Sequence, residues 1–173
     1  MEFLVRPSAS SAWLAGAGRG DVVQLGPAMG PGFNTSCEAW AAEPRVGQVC
    51  LFATGTGIAP MRAVIEGGAL RGRVCRLYVG ARSEAALGFA HLYGEWRRLG
   101  VEVLPVISRP GATWSGRRHY VQDAFAADEE RGEGFVLPAV HGALLCGQKE
   151  MVAAVRGLYG DLGVPPERAL LNF

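Results

Sequence analysis

The sequence predicts an α/β fold, a doubly wound and mostly parallel sheet, preceded by a shorter segment of different character. Three observations predict it. From Val49 onward, short apolar runs alternate with stretches of helical periodicity, the pattern of strands and helices in turn. The first run, Val49-Cys50-Leu51-Phe52-Ala53, is continuously apolar, as expected of a strand buried on both faces. A glycine turn, Gly55-Thr56-Gly57, joins that run to a helical pattern opened by Pro60, which suits a first turn because its missing N–H costs nothing there.

The opening segment, residues 1–33, reads differently. Phe3, Val5 and Pro7 recur at every second position, with Glu2 and Arg6 among their neighbours, and are read as a half-buried strand. Ser10 and Ser11 open a short helix at Ala12-Trp13-Leu14, and Val22 to Leu25 form a second strand after the turn at residues 18–21. Two strands and a helical turn bury no core of their own. The segment is therefore either the tail of a larger β domain or an appendage on the next one. Residues 34–48 lack periodicity, contain Pro44 and Gly47, and read as a linker.

Residues 49–173 form the regular domain. A strand at 49–53 leads into a helix at 59–70, where Met61, Val64, Ile65 and Leu70 recur at helical spacing. A strand at 74–79 ends at Gly80. Phe89, Leu92, Trp96 and Leu99 define one face of a helix that Gly100 stops. A strand at 101–107 is interrupted near its end by Pro105, and 120–127 is a short helix. A strand at 143–147 runs into a glycine turn and then a strongly amphipathic helix, with Met151, Val155, Leu158, Tyr159 and Leu162 on one side. Residues 169–173 are a final strand. In such sheets ligands bind beyond the carboxyl ends of the strands, where 54–60, 80–83 and 146–151 converge. A helix opening after a glycine turn aims free N–H groups and a positive dipole end at that edge, which favours phosphate. The pattern is G-x-G-x-x-P rather than G-x-G-x-x-G, so by itself an ordinary βα turn carries it equally well.

Composition narrows the function classes. The 173 residues, 49% hydrophobic, suffice for one sizeable core. The formal net charge of +1 and the lack of a basic stripe among aromatics argue against a nucleic-acid partner. No apolar run approaches the roughly 18 residues that span a bilayer, and the first residues resemble neither a signal nor a transit peptide. Cys37, Cys50, Cys75 and Cys146 show no C-x-x-C pairing, so buried thiols in a soluble protein of a reducing compartment are expected. His91, His119 and His141 lack ligand spacing, which argues against a metal site.

Ala53-Thr54-Gly55-Thr56-Gly57-Ile58-Ala59-Pro60 and, later, Leu145-Cys146-Gly147-Gln148-Lys149-Glu150-Met151 together resemble the pyridine-nucleotide domain of the ferredoxin–NADP reductase superfamily. Leu170-Leu171-Asn172-Phe173 looks closest to a plant and algal branch of FAD/NAD(P)-binding oxidoreductases. Residues 1–33, with Gly26-Pro27 and Met29-Gly30, resemble the last strands of the flavin-binding β-barrel that precedes that domain. The implied fold is the NADP-binding domain of ferredoxin reductase type behind a partial barrel.

The resemblance implies roles. Gly55, Thr56, Gly57 and Pro60 match the loop that holds the coenzyme diphosphate. Thr54 and Cys146 match catalytic positions beside the nicotinamide, with Gly147 and Met151 completing the cysteine motif, and Phe173 matches the terminal aromatic that covers a ring. Cys146 would position rather than attack, because hydride passes directly between nicotinamide and flavin. Ser11 matches a serine near the FAD diphosphate. Ser108, Arg109, Arg118 and Tyr120 resemble the set around the 2′-phosphate in NADP-selective relatives, where arginine forks suit phosphate oxygens. NADP is thus expected over NAD. The family's Arg-x-Tyr-Ser/Thr flavin signature is missing from the sequence, which argues against FAD binding by this chain alone. The expected function is an NAD(P)H-dependent flavoprotein oxidoreductase passing electrons to an unidentified acceptor, a small molecule or redox protein. The alternative is a catalytically incomplete NAD(P)-binding module. Plastid stroma and cytoplasm both remain open.

Overall fold

The first sheet strand, β1 (Gln48–Thr54), is the centre of the molecule, and residues 49 to 53 have no exposed surface. In this computed structural model residues 2–27, 30–42, 45–134 and 140–172 are described. Two short helices, α1 (Ala12–Ala15) and α2 (Glu38–Ala41), precede β1. A 3-10 turn at Gly55–Gly57 and α3 (Ile58–Glu66) follow it, then β2 (Val74–Ala81), α4 (Tyr93–Arg98), β3 (Val101–Ile107) and β4 (Arg117–Arg118). The remainder is α5 (Val121–Glu130), β5 (His141–Cys146), α6 (Lys149–Asp161) and β6 (Ala169–Leu171).

The sheet order is β4-β3-β2-β1-β5-β6, and every pair is parallel. Alternation along β1 sorts the core into two layers. Val49, Leu51 and Ala53 pack with Trp40, Ile58, Met61 and Trp96, on the side of α2, α3 and α4. Cys50 and Phe52 pack with Tyr78, Phe125, Val155 and Tyr159, on the side of α5 and α6. Phe52 is the hub of the second layer. It stacks on Tyr78 at 5.3 Å between ring centroids and meets Phe125 edge-on at 5.3 Å, pairs that contribute about 0.5–1.5 kcal/mol each beyond burial.

Expected and observed elements differ at identifiable places. The expected helix bearing Phe89, Leu92, Trp96 and Leu99 is a 3-10 turn at Ala90–Leu92 followed by the six-residue α4. Phe89 is buried before that turn with left-handed backbone (φ 53), and Leu99, beyond the last helical residue, is 57% exposed. Pro105 does not interrupt β3, since its Cα pairs with Val79. It lies just before the stretch reached by β4, which pairs only with Val106 and Ile107, so the edge there makes little demand on a donor. The helix expected at 59–70 ends at Glu66, and Leu70 is buried in the turn that follows.

Residues 34–48, which lack periodicity, carry α2 and bury Trp40 completely. The Trp40 indole donates to the Arg168 carbonyl at 3.2 Å, and Arg168 Nε donates to the Ala39 carbonyl at 2.9 Å. The two expected strands of the opening segment are not strands. No ladder forms at residues 3–7 or 22–25, and Val22 is 93% exposed. The expected alternation is also lost, because Leu4 packs on the core while Phe3 is exposed, and Leu4 and Val5 are both half-buried. Backbone extended in sequence becomes a strand only where a partner accepts its hydrogen bonds. The expected short helix does form, as α1. Met29 and Phe173 lie outside the described residues.

His141 opens β5 almost fully buried. Burial first, and the nearby Arg76 charge second, lower its pKa from 6.5 to about 4. Between those values the unfolded chain binds a proton that the folded chain refuses, so stability is retained above pH 6.5 and lost as pH falls towards 4. The loss should total about 3 kcal/mol. Urea unfolding at several pH values should show it, and His141→Gln should flatten the slope. An unchanged slope in the variant would contradict this origin.

Candidate functional site

Chain order and spatial order part company at β1. From β1 the chain moves outward through β2, β3 and β4, then returns to place β5 on the other side of β1. Loops leaving β1 and β5 therefore diverge to opposite faces, and the carboxyl edge between them is the switch point at which sheets of this order carry a ligand crevice. Both loops carry sequence-predicted residues: Thr54, Gly55, Thr56 and Gly57 after β1, and Cys146, Gly147 and Met151 after β5. Ala53 and Cys146 are register partners.

The two loops are fastened to each other. Thr54 Oγ1 accepts the Gln148 backbone N–H at 3.0 Å. A Cβ on Gly57 would lie 2.1 Å from the Cys146 carbonyl oxygen, and one on Gly147 would lie 2.0 Å from Thr54 Oγ1. Gly57 is buried, while Gly55 and Thr56 face solvent, with Gly55 in left-handed backbone (φ 57). Gly147 has a positive φ of 155, which an L side chain rarely adopts. Only hydrogen side chains permit both the approach and the turn. Pro60 sits in the first turn of α3 and is half-buried. Met151 is buried beneath Gly147 in the α6 layer.

Cys146 is half-buried on the α3 side. Burial pushes its thiol pKa above the usual value, and a hydrogen bond with the Asn172 side chain partly opposes that. A thiol held protonated near neutral pH is a poor nucleophile and a weakly polar neighbour for a ring.

The remaining predicted residues lie further along the same edge. Ser108 and Arg109 follow β3, their backbone N–H groups donating to Ala81 and Arg82 carbonyls at 3.0 and 2.9 Å. Arg118 ends β4, exposed, with Nη2 donating to the Trp114 carbonyl at 2.7 Å. Tyr120 precedes α5 with 60% of its surface exposed, and its N–H donates to Asp123 Oδ2 at 3.3 Å. Strands about 4.8 Å apart put β3 and β4 roughly 10 and 14 Å from β1 along this edge. Ser11 stands apart. It precedes α1, and its hydroxyl donates to the Arg6 carbonyl at 2.7 Å. Phe173 is outside the described residues.

A sequence profile described as the oxidoreductase NAD-binding domain matches residues 51–157. The chain belongs to this family. It is a nicotinamide-nucleotide-binding domain of the ferredoxin–NADP reductase type. It is 34% identical to the fruit protein pKIWI502 of Actinidia deliciosa over 175 residues, covering 99% of this chain and 53% of that protein. It is 36% identical over 122 residues to ferredoxin–NADP reductase B of Sorangium cellulosum, covering 65% of this chain and 48% of that one. The chain thus spans about half the length of the curated relatives it matches. Among solved structures, a ferredoxin NADP+ reductase from Neisseria gonorrhoeae with bound FAD and NADP superposes over 98% of this chain and 71% of that one, with TM-score 0.71 and 20% identity.

The turn between β1 and α3 has the chemistry that suits the diphosphate of such a coenzyme. The cradle made by Gly55 to Gly57 is bare of side chains at its buried end, and α3 opens directly above it. A flavin site does not fit the described residues. The opening segment forms no ladder, and the Ser11 hydroxyl is engaged locally, with Arg6 and, at 2.7 Å, with the Ser8 hydroxyl.

Sequence reasoning passed over three groups that shape this edge. Gln148 ties the two loops through its backbone. Trp114 holds the turn before β4, its indole donating to the Arg117 carbonyl at 2.9 Å. Asp128, inside the acidic run Asp128-Glu129-Glu130, is fully buried. A tryptophan in a loop, Trp114, was the one available signal; nothing in an acidic run distinguishes its buried member.

Gly57→Ala should lower unfolding stability by about 2–3 kcal/mol, because the intruding methyl meets backbone that cannot turn aside. Gly55→Ala should cost about 1 kcal/mol, the penalty of left-handed backbone in open space. Urea unfolding of both variants measures the difference, and equal losses would contradict the close contact. Alkylation of Cys146 by iodoacetamide should keep accelerating above pH 9; a plateau below pH 8.5 would contradict the raised pKa.

Proposed function

We propose that this chain is the coenzyme-binding part of an NADPH-dependent oxidoreductase. The crevice between β1 and β5 carries the reading, because its paired glycine loops leave room for a diphosphate beside Thr54 and Cys146. The diphosphate takes the backbone N–H groups of the solvent-facing Gly55 and Thr56 and the amino end of α3. The nicotinamide lies over Thr54, Cys146 and Gly147, with Met151 supporting that turn from below. The 2′-phosphate is taken by Ser108, Arg109 and Arg118, and Tyr120 offers an exposed ring to the adenine. When bound, the coenzyme supplies the hydride, and the protein orients the ring and keeps Cys146 a neutral neighbour. In the whole oxidoreductase the partner of that hydride would be a flavin such as FAD held outside the described residues, and the electrons would pass onward to an acceptor, a small molecule or redox protein. Phe173 is the candidate to cover the ring.

The missing Arg-x-Tyr-Ser/Thr signature and the unpaired opening segment favour a second reading for the chain by itself, a coenzyme-binding module without its own flavin site. In that reading residues 1–33 are the end of a barrel whose earlier strands this chain does not contain.

Calorimetric titration with NADP+ and NAD+ tests the first part. NADP+ should bind at least roughly tenfold tighter, the order expected when a phosphate gains charge-assisted bonds to two arginines. Replacing Arg109 and Arg118 with Ala should remove that preference and leave NAD+ binding nearly unchanged; equal losses for both would reject the assignment. The absorbance of the purified protein separates the two readings, flavin colour supporting the complete enzyme and a colourless protein the module.

A further inference from the structure

We propose that Asp128 is a positioning residue for the 2′-phosphate subsite, acting through Arg117 to set the strand that presents Arg118. The proposal rests on the reading that Arg118 takes this phosphate.

Asp128 has no exposed surface. A carboxylate so placed is strongly unfavourable unless its oxygens are fully engaged, and here they are. Tyr78 donates its hydroxyl to Oδ2 at 2.8 Å, Arg117 reaches Oδ2 through Nε at 3.0 Å and Nη2 at 2.9 Å, and Arg131 Nη2 donates to Oδ1. The three partners come from β2, β4 and the residue after α5. Tyr78 is itself stacked on Phe52 in the core, so Asp128 is referenced to the rigid centre of the sheet.

What it holds is otherwise weakly held. Strand β4 has two residues, paired only with Val106 and Ile107. Arg117 is the register partner of Val106, whose side chain lies in the α5 and α6 layer. Neighbouring residues on a strand leave it in opposite directions, so pinning Arg117 beneath α5 fixes the register from which Arg118 projects. The Trp114 indole holds the Arg117 carbonyl, and the Trp114 carbonyl receives Arg118 Nη2. The turn that follows is tight, with His119 in left-handed backbone (φ 72). A guanidinium arranged before the ligand arrives loses less freedom on binding. Cut from Asp128, β4 would have two ladder pairs and the Trp114 turn to keep Arg118 in place.

The test is calorimetric titration of the full 173-residue chain with NADP+ and NAD+, for the wild type, Asp128→Asn, Asp128→Glu and Tyr78→Phe. Asp128→Asn should weaken NADP+ roughly tenfold while NAD+ changes less than about twofold, the loss expected when a preorganised contact must be ordered on binding. Asp128→Glu should recover most of the preference. Tyr78→Phe, which keeps the ring and removes one tether, should give a smaller loss of the same kind, and it carries the test if Asp128→Asn does not fold. An unchanged NADP+ to NAD+ ratio in the variants, or equal weakening of both coenzymes, overturns the role of Asp128 while leaving the coenzyme assignment standing. A wild type without preference for NADP+ overturns that assignment and this proposal with it.

Discussion

The contact of Gly57 against the Cys146 carbonyl is the constraint on which the rest of the site depends. It joins the two loops that leave the sheet on opposite sides of its reversal point, at a separation no side chain could enter. The Thr54 hydroxyl, accepting the Gln148 N–H, locks the same junction from the other face. Without that closeness the loops would diverge with the layers they serve, α3 on one side and α6 on the other. The crevice is therefore built by main chain, and its side chains are mostly passengers on a fixed frame.

That frame is rigid because β1 is. Its five central residues have no exposed surface, and they alternate between the two packed layers. Ala53, the last of these, is the register partner of Cys146 in β5, while Thr54 beyond it pairs with Gly80 in β2. A site assembled on such a strand inherits its precision, whereas loops alone would not hold reacting groups to fractions of an ångström. Towards β4 the sheet thins to a two-residue strand, and buried charge takes over from ladder bonds. Asp128 with Arg117, Arg131 and Tyr78 is the local substitute for a longer strand.

The opening segment contrasts with this order. Phe3, Trp13, Val22 and Leu25 are exposed apolar residues, and the segment is attached through Leu4 and Phe33 on the core and the Glu2–Arg62 ion pair. Its sequence has strand character without strand pairing. The same chain thus contains a domain whose hydrogen bonds close internally and a stretch whose backbone finds no ladder among the described residues.

By itself the sequence determined the alternation of strands and helices from residue 49 onward, the glycine turn and the cysteine motif, because these are local signals: apolar runs, helical spacing, residues with special backbone freedom. The bounds of strand β3 were legible to the residue, though not its continuity through Pro105, and the two loops stood out by their glycines and cysteine. The tertiary structure alone decided that those loops meet, since Thr54 and Gln148 are distant in sequence and only strand order brings them together. It decided that Trp40, in a stretch without periodicity, is core, and that residues 3–7 and 22–25 are not strands, because pairing is a property of partners. It also decided the burial of Asp128, which one acidic run cannot announce: the energy that selects it comes from Tyr78 and two arginines on other elements.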